Sequence, residues 1–163
     1  MQLNDYEIKH NETVRKAAPE CTLLLRSDGS FPLKKPGSVA LFGNGARNTI
    51  RGGTGSGEVN SRYSVTIEEG LLQSGFQITT GPWLDAYQKI REQAVADWEQ
   101  ELAKYGDDDF AISDTFGNVM PEPEYELPTD YPGDTAVYVL SRICGDGADR
   151  TLLRGDHIHF LRK

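Results

Sequence analysis

Long apolar runs are absent from this sequence. No stretch approaches the ~20 residues that a membrane-spanning helix needs, which excludes that class. Basic charge is scarce as well. Lys and Arg number 17 against 25 Asp and Glu, for a net charge of −8 and a pI near 4.9. Nucleic acid and anionic membrane surfaces both call for basic patches, so neither is expected as a partner. The first residues, Met1-Gln2-Leu3-Asn4-Asp5-Tyr6-Glu7, lack the charged-then-apolar order of a secretory signal. A cytoplasmic location is the default expectation. Cysteine is nearly missing. Cys21 and Cys144 both fall in apolar, strand-like contexts, which predicts reduced, buried thiols rather than a disulfide. Of three histidines, His157 and His159 would share one face of a strand. No cysteine or third histidine supports them, so they read as surface or partner-facing residues. No metal and no cofactor is expected.

What is present suits one domain. A chain of 163 residues can bury a real core. Tyr6 to Ala18 reads as a helix that Asp5 can cap, with Ile8, Val14, Ala17 and Ala18 on one side. Cys21 to Leu25 reads as a short strand. Ser27-Asp28-Gly29-Ser30 reads as a turn, because Gly29 can take positive φ. Val39 to Phe42 is an unbroken apolar strand, expected to be covered on both faces. Thr66-Ile67-Glu68-Glu69 has capping-box spacing, predicting a helix to about Gln73 that Gly75 ends. Phe76 to Thr79 is another strand. From Trp83 to Tyr105 the residues Trp83, Tyr87, Ile90, Ala94, Trp98 and Leu102 recur at helical spacing, as a packing face. Asp107-Asp108-Asp109 lacks the alternating ligand order of a calcium loop and reads as solvated. Met120 to Pro132, rich in proline and acids, reads as an extended loop. Thr135 to Leu140 is the last strand and is expected beside or near the Val39 strand, also covered on both faces. Strands alternating with helices predict an α/β fold with a mostly parallel sheet.

Two loops follow strands and draw attention. The first is Arg51-Gly52-Gly53-Thr54-Gly55-Ser56-Gly57-Glu58. Glycine-rich loops after strands often cradle phosphate. This one lacks the Gly-Lys-Ser/Thr end of a Walker loop, and the dinucleotide fingerprint fails at Asn48 and Asn60. Glu58 would also repel phosphate. The glycines read as provision for unusual backbone angles. The second loop is Arg142-Ile143-Cys144-Gly145-Asp146-Gly147-Ala148-Asp149-Arg150. An acid between glycines after a strand fits a site carboxylate. It fits a polar turn equally well.

Five pieces in order resemble glycoside hydrolase family 3, the β-glucosidase family, in its α/β-sandwich domain. His10 to Leu25 resembles the opening helix and first strand. Asp28-Gly29-Ser30-Phe31-Pro32-Leu33 resembles the family's Asp-Gly-x-x-Pro-Leu turn. Val39 to Gly43 resembles the next strand. Arg51 to Gly57 resembles the Gly-Gly-x-Gly-Ser-Gly loop, and Ser141 to Arg150 the Ser-Arg-x-x-Gly-Glu-Gly-Ala-Asp-Arg loop. The resemblance implies an α/β three-layer sandwich, its mostly parallel sheet flanked by helices, incomplete here. Residues 1–163 would form one partial domain, from a member whose sandwich precedes the barrel.

The family's chemistry uses two carboxylates about 5 Å apart, a barrel Asp as nucleophile and a sandwich Glu as acid/base. Asp146 stands at the position of that Glu. Its carboxyl is one methylene shorter, about 1.5 Å, a retreat that can cost about 100-fold in rate. No (β/α)8 barrel is expected, since one needs ~250 residues. The resemblance therefore implies part of a retaining β-glycosidase that contributes the acid/base loop and is inactive alone. Its partners would be the missing barrel and a β-glucoside or related oligosaccharide. The alternative is a non-catalytic carbohydrate-binding or interaction module. If the strands are parallel, the two loops share one end of the sheet. That makes Arg51, Gly53, Gly55, Gly57, Asp149 and Arg150 substrate-binding rim candidates.

Overall fold

The computed structural model describes residues 3–53, 55–57, 59–106, 108, 120–133 and 135–143. The chain divides into two compact units, Met1–Lys35 and Pro36–Lys163.

In the first unit a single helix, α1, spans Asp5–Glu20. Its N-cap is Asn4, not Asp5. The Glu7 carboxylate accepts from the Asn4 backbone N–H at 2.8 Å, the reciprocal half of a capping box. Asp5 instead places its charge in the first turn, where the helix dipole favours it. The turn at Ser27–Ser30 forms as expected, with Gly29 at φ +96°. Asp28 Oδ1 accepts from the Ser30 N–H at 3.0 Å and from its hydroxyl at 2.5 Å. Ser30 thereby holds the Asp28 carboxyl below its ordinary pKa.

The strand expected at Cys21–Leu25 does not form. A strand needs a neighbour for its backbone groups, and this unit holds none among the described residues. Leu23 and Leu25 are 82% and 93% exposed, and Cys21 is exposed rather than buried.

The second unit is the α/β part. β1 (Ser38–Phe42), α2 (Ile67–Gln73), β2 (Gln77–Ile78), α3 (Gly81–Ala103) and β3 (Ala136–Tyr138) follow in that order. The sheet order is β2-β1-β3, and both pairings are parallel. Leu41 stands opposite Val137, and Val39 opposite Ile78. Parallel strands joined through helices give the predicted α/β class, consistent with an incomplete sandwich.

β1 is central and buried from Val39 to Phe42. Trp83, Leu84 and Tyr87 of α3 complete the core with Ala46. Full burial of each large side chain contributes about 1.5–3 kcal/mol. The 120–132 segment forms no helix or strand, and its Tyr125, Leu127 and Tyr131 pack onto this core. Tyr131 meets Phe42 edge-on, and Tyr125 meets Trp83 the same way.

β3 departs from expectation. It lies beside β1 but, among the described residues, at the end of the strand order, with Tyr138 and Leu140 each 53% exposed. Only Val137 and Val139 pack inward. Alternate residues of a strand face opposite sides of the sheet, and only the side with Val137 and Val139 is covered among the described residues.

α2 starts and stops as its sequence dictates. Thr66 Oγ1 accepts from the Glu69 N–H at 3.1 Å, and Glu69 Oε2 accepts from the Thr66 N–H at 2.8 Å. At the far end Gly75 has φ +87°. Its N–H bonds Leu72 O, and Phe76 N–H bonds Leu71 O, the paired pattern of a Schellman stop. Among the described residues no helix is long and apolar enough to cross a membrane.

Candidate functional site

The site region lies beyond the carboxyl ends of β1 and β3, where open α/β sheets bind ligands. Because β1 and β3 are parallel, the turn after Phe42 and the chain after Tyr138 leave from the same end. They are pressed together. Val139 N–H donates to Phe42 O at 2.8 Å, and Gly45 N–H donates to Val139 O at 3.3 Å. Gly43 has φ +98°, and a Cβ there would sit 2.2 Å from Val139 O. A Cβ on Gly45 would sit 2.0 Å from Ser141 Oγ. Only glycine permits this approach.

Between these glycines, Asn44 reaches across to β3. Its Nδ2 donates to Ser141 O at 2.7 Å, and its Oδ1 accepts from Ser141 N–H at 2.9 Å. The same Nδ2 donates to Glu122 Oε2 at 3.1 Å. Glu122 Oε1 accepts from the Tyr87 hydroxyl. Tyr87 is buried and stacks on Trp83, with ring centroids 5.6 Å apart. Burial first, then the bond to Glu122, pushes the Tyr87 phenol far above its ordinary pKa. Tyr125 is raised for the same first reason and by its contact with the Tyr138 hydroxyl.

The rest of the turn is fastened to the helices. Arg47 donates to both Glu68 oxygens, at 2.6 and 3.0 Å, and to Asp85 Oδ1 at 2.6 Å. These bonds, that to Glu68 foremost, raise the guanidinium pKa and keep it charged. Thr49 Oγ1 donates to Gly45 O at 2.7 Å and accepts from Ile67 N–H at 3.0 Å. Asn48 Nδ2 donates to Gln88 Oε1 at 3.1 Å. The turn is thus a fixed platform tied to α2, α3 and β3.

The residues predicted for the site fall differently. Arg51 is exposed, Gly53 half-buried, and Gly55–Gly57 form one 3-10 turn. The glycine that matters for packing is Gly52, where a Cβ would sit 2.2 Å from Gly57 O. Neither Gly52 nor Gly57 takes positive φ. At Gly52 the loop needs glycine for space and not for a positive φ. Cys144, Gly145, Asp146, Asp149 and Arg150 lie outside the described residues, as do His157 and His159. The rim expected from the two loops lies outside the described residues with them.

Sequence reading missed Asn44, Glu122 and Arg47. Gly43-Asn44-Gly45 was a signal, because an amide side chain between two glycines after a strand is free to bond a neighbouring backbone. Glu122 carried none, since its partner Asn44 lies 78 positions away. Among the described carboxylates here, Glu68 and Asp85 are matched to Arg47, and Glu122 is bonded to Tyr87 and Asn44. No described group of His, Cys, Asp and Glu has metal-binding geometry.

No protein-family profile matches the chain, and no solved structure does. Curated proteins do. Beta-glucosidase A of Butyrivibrio fibrisolvens is 32% identical over 149 residues, which cover 87% of this chain and 16% of that protein. The probable exo-1,4-beta-xylosidase bxlB of Aspergillus terreus is 33% identical over 110 residues, 68% of this chain and 14% of its own length. A beta-glucosidase of Ruminococcus albus is 26% identical over 160 residues, 91% of this chain and 15% of its own. The chain thus spans about a sixth of the length of these curated relatives. Together with the parallel sheet, these similarities bear out the resemblance: the chain is a relative of β-glucosidases of the glycoside hydrolase family 3 type.

Proposed function

We propose that this chain is the acid/base-loop part of a retaining β-glycosidase, acting on a β-glucoside or related oligosaccharide. Asp146 stands where the family places its acid/base Glu. A barrel elsewhere in the protein supplies the nucleophile, so the 163-residue chain is inactive by itself. A cytoplasmic location belongs to the same proposal. The observation that carries the reading is the strand-end platform. Asn44 and its flanking glycines hold Ser141 at the carboxyl end of the parallel sheet, shortly before Asp146 in sequence.

Hydrolysis of an aryl β-glucoside tests it. The purified chain should show no turnover above background. Turnover by this chain that Asp146→Asn abolishes would overturn the inactive-alone reading. In the longest product of the coding region, Asp146→Asn should lower kcat by about 10²–10⁴, the usual worth of a general acid/base. Asp146→Glu should hold or raise the rate, by up to about 100-fold, because it restores the missing reach. An unchanged rate in Asp146→Asn would remove Asp146 from the mechanism.

A further inference from the structure

We propose that Asn44 is a positioning residue: its carboxamide prolongs the β1–β3 ladder by one step and sets the direction in which the chain leaves β3. The consequence for catalysis rests on the function proposed above, because Asp146 follows on that chain.

The backbone explains why such a device is needed. The β1–β3 ladder ends with Val139 N–H on Phe42 O and Gly45 N–H on Val139 O. Past Phe42 the chain turns at Gly43. Ser141 therefore meets no strand on the β1 side. A carboxamide is planar and carries the donor and acceptor of a peptide group. Asn44 offers both to Ser141, at 2.7 and 2.9 Å, as a strand neighbour would.

The side chain is itself held from behind. Its second Nδ2 hydrogen goes to Glu122, and Glu122 is fixed by the hydroxyl of Tyr87, which is 2% exposed. The direction of Ser141 is thereby referenced to the aromatic core rather than to solvent. The lack of room for a Cβ at Gly43 and Gly45 keeps the turn against Val139 and Ser141. On its other side β1 uses Thr80 similarly, with Oγ1 bonded to both Leu41 N–H and Leu41 O. That clamp leads only into α3. The Asn44 clamp leads to the one strand whose continuation carries Asp146.

Amide hydrogen exchange on the full 163-residue chain tests the clamp without needing activity. Asn44→Ala should lower protection of the Ser141 amide about 10-fold or more, the loss expected for one backbone bond opening locally. Ala40, Leu41 and Val139 should keep theirs. Unchanged protection at Ser141, or an equal loss at all four amides, would overturn the proposal. Should Asn44→Ala fail to fold, Glu122→Ala decides instead. It leaves both Asn44–Ser141 bonds possible but frees the rotamer, so a smaller, local loss at Ser141 is expected, and no loss counts against the idea. In the longest product of the coding region, Asn44→Ala should lower kcat for an aryl β-glucoside about 10-fold or more with KM unchanged. A rise in KM alone would contradict positioning. If that longer product is inactive before any substitution, the proposed function fails while the exchange result still judges the clamp.

Discussion

At the scale of single residues, the platform depends on what is missing from two positions. Gly43 combines a left-handed φ of +98° with a Cβ position occupied by Val139 backbone. Gly43→Ala should therefore destabilise the second unit by at least about 2 kcal/mol, through strain and displacement of β3 together. Urea denaturation read by tryptophan fluorescence measures this, since Trp83 lies in the same core. Gly57 is a fair control. It has open space around it and no positive φ, so Gly57→Ala should change little.

The buried tyrosines give a second residue-scale expectation. Tyr87 keeps its proton well above the ordinary tyrosine range because burial penalises the phenolate. An unfolded chain releases that proton near pH 10. Above that pH the native state binds more protons than the unfolded one, so stability falls as pH rises. Below it the two states bind equally and no dependence arises from this group. The decline should approach about 1.4 kcal/mol per pH unit for a fully buried tyrosine. Urea midpoints on either side of pH 10 would show it. Tyr87→Phe should flatten the slope, although it also removes the bond to Glu122.

At the scale of elements, β1 is served on both sides by side chains standing in for backbone. Where β2 ends, Thr79 N–H makes the last ladder bond to Val39 O, and the Thr80 hydroxyl takes over. Thr80 is fully buried. Thr80→Val keeps the shape but leaves the Leu41 N–H and C=O without their partner. A cost of about 2–4 kcal/mol follows, against about 1 kcal/mol for losing an average hydrogen bond in solvent contact. A thermal or urea midpoint that moves no more than an exposed threonine substitution would show that water replaces the hydroxyl freely. The helices need no such devices. The capping box at Thr66 and the glycine stop at Gly75 are local, and both are legible in the sequence before any packing is known.

At the scale of the whole molecule, the two units differ in how much they bury. Every residue of the named core belongs to Pro36–Lys163, and no described residue of Met1–Lys35 is buried. Leu23, Leu24, Leu25, Val14 and Phe31 are all more than half exposed. Exposed backbone without ladder bonds is the preferred substrate of proteases. Brief trypsin treatment should therefore cut at Arg26 or Lys34 before Lys89 or Arg91 within α3. Mass spectrometry of the early products checks the order. Early cleavage inside α3 would mean that the second unit opens as readily as the first.

The sequence by itself determined whatever is set by neighbours along the chain. The helix over Ile67–Gln73, the helical spacing of α3, the turn at Gly29 and the buried run of β1 are written in spacing, caps and glycine placement. Of the α3 stripe only Trp83 and Tyr87 are buried, while Ile90, Ala94, Trp98 and Leu102 stay half-buried. The family resemblance was also legible, because motifs are local strings. Tertiary structure decided the rest. Cys21–Leu25 has a strand's composition, yet a strand exists only where a neighbour offers its backbone. The Thr135–Leu140 run has the composition of a doubly covered strand, yet only its Val137 and Val139 side packs on the core and Tyr138 and Leu140 are exposed. Asn44 meets Ser141 and Glu122 across 97 and 78 positions. No periodicity encodes such pairs. They follow from parallel strands bringing distant loops to one end of a sheet, where side chains complete the bonds that backbone leaves open.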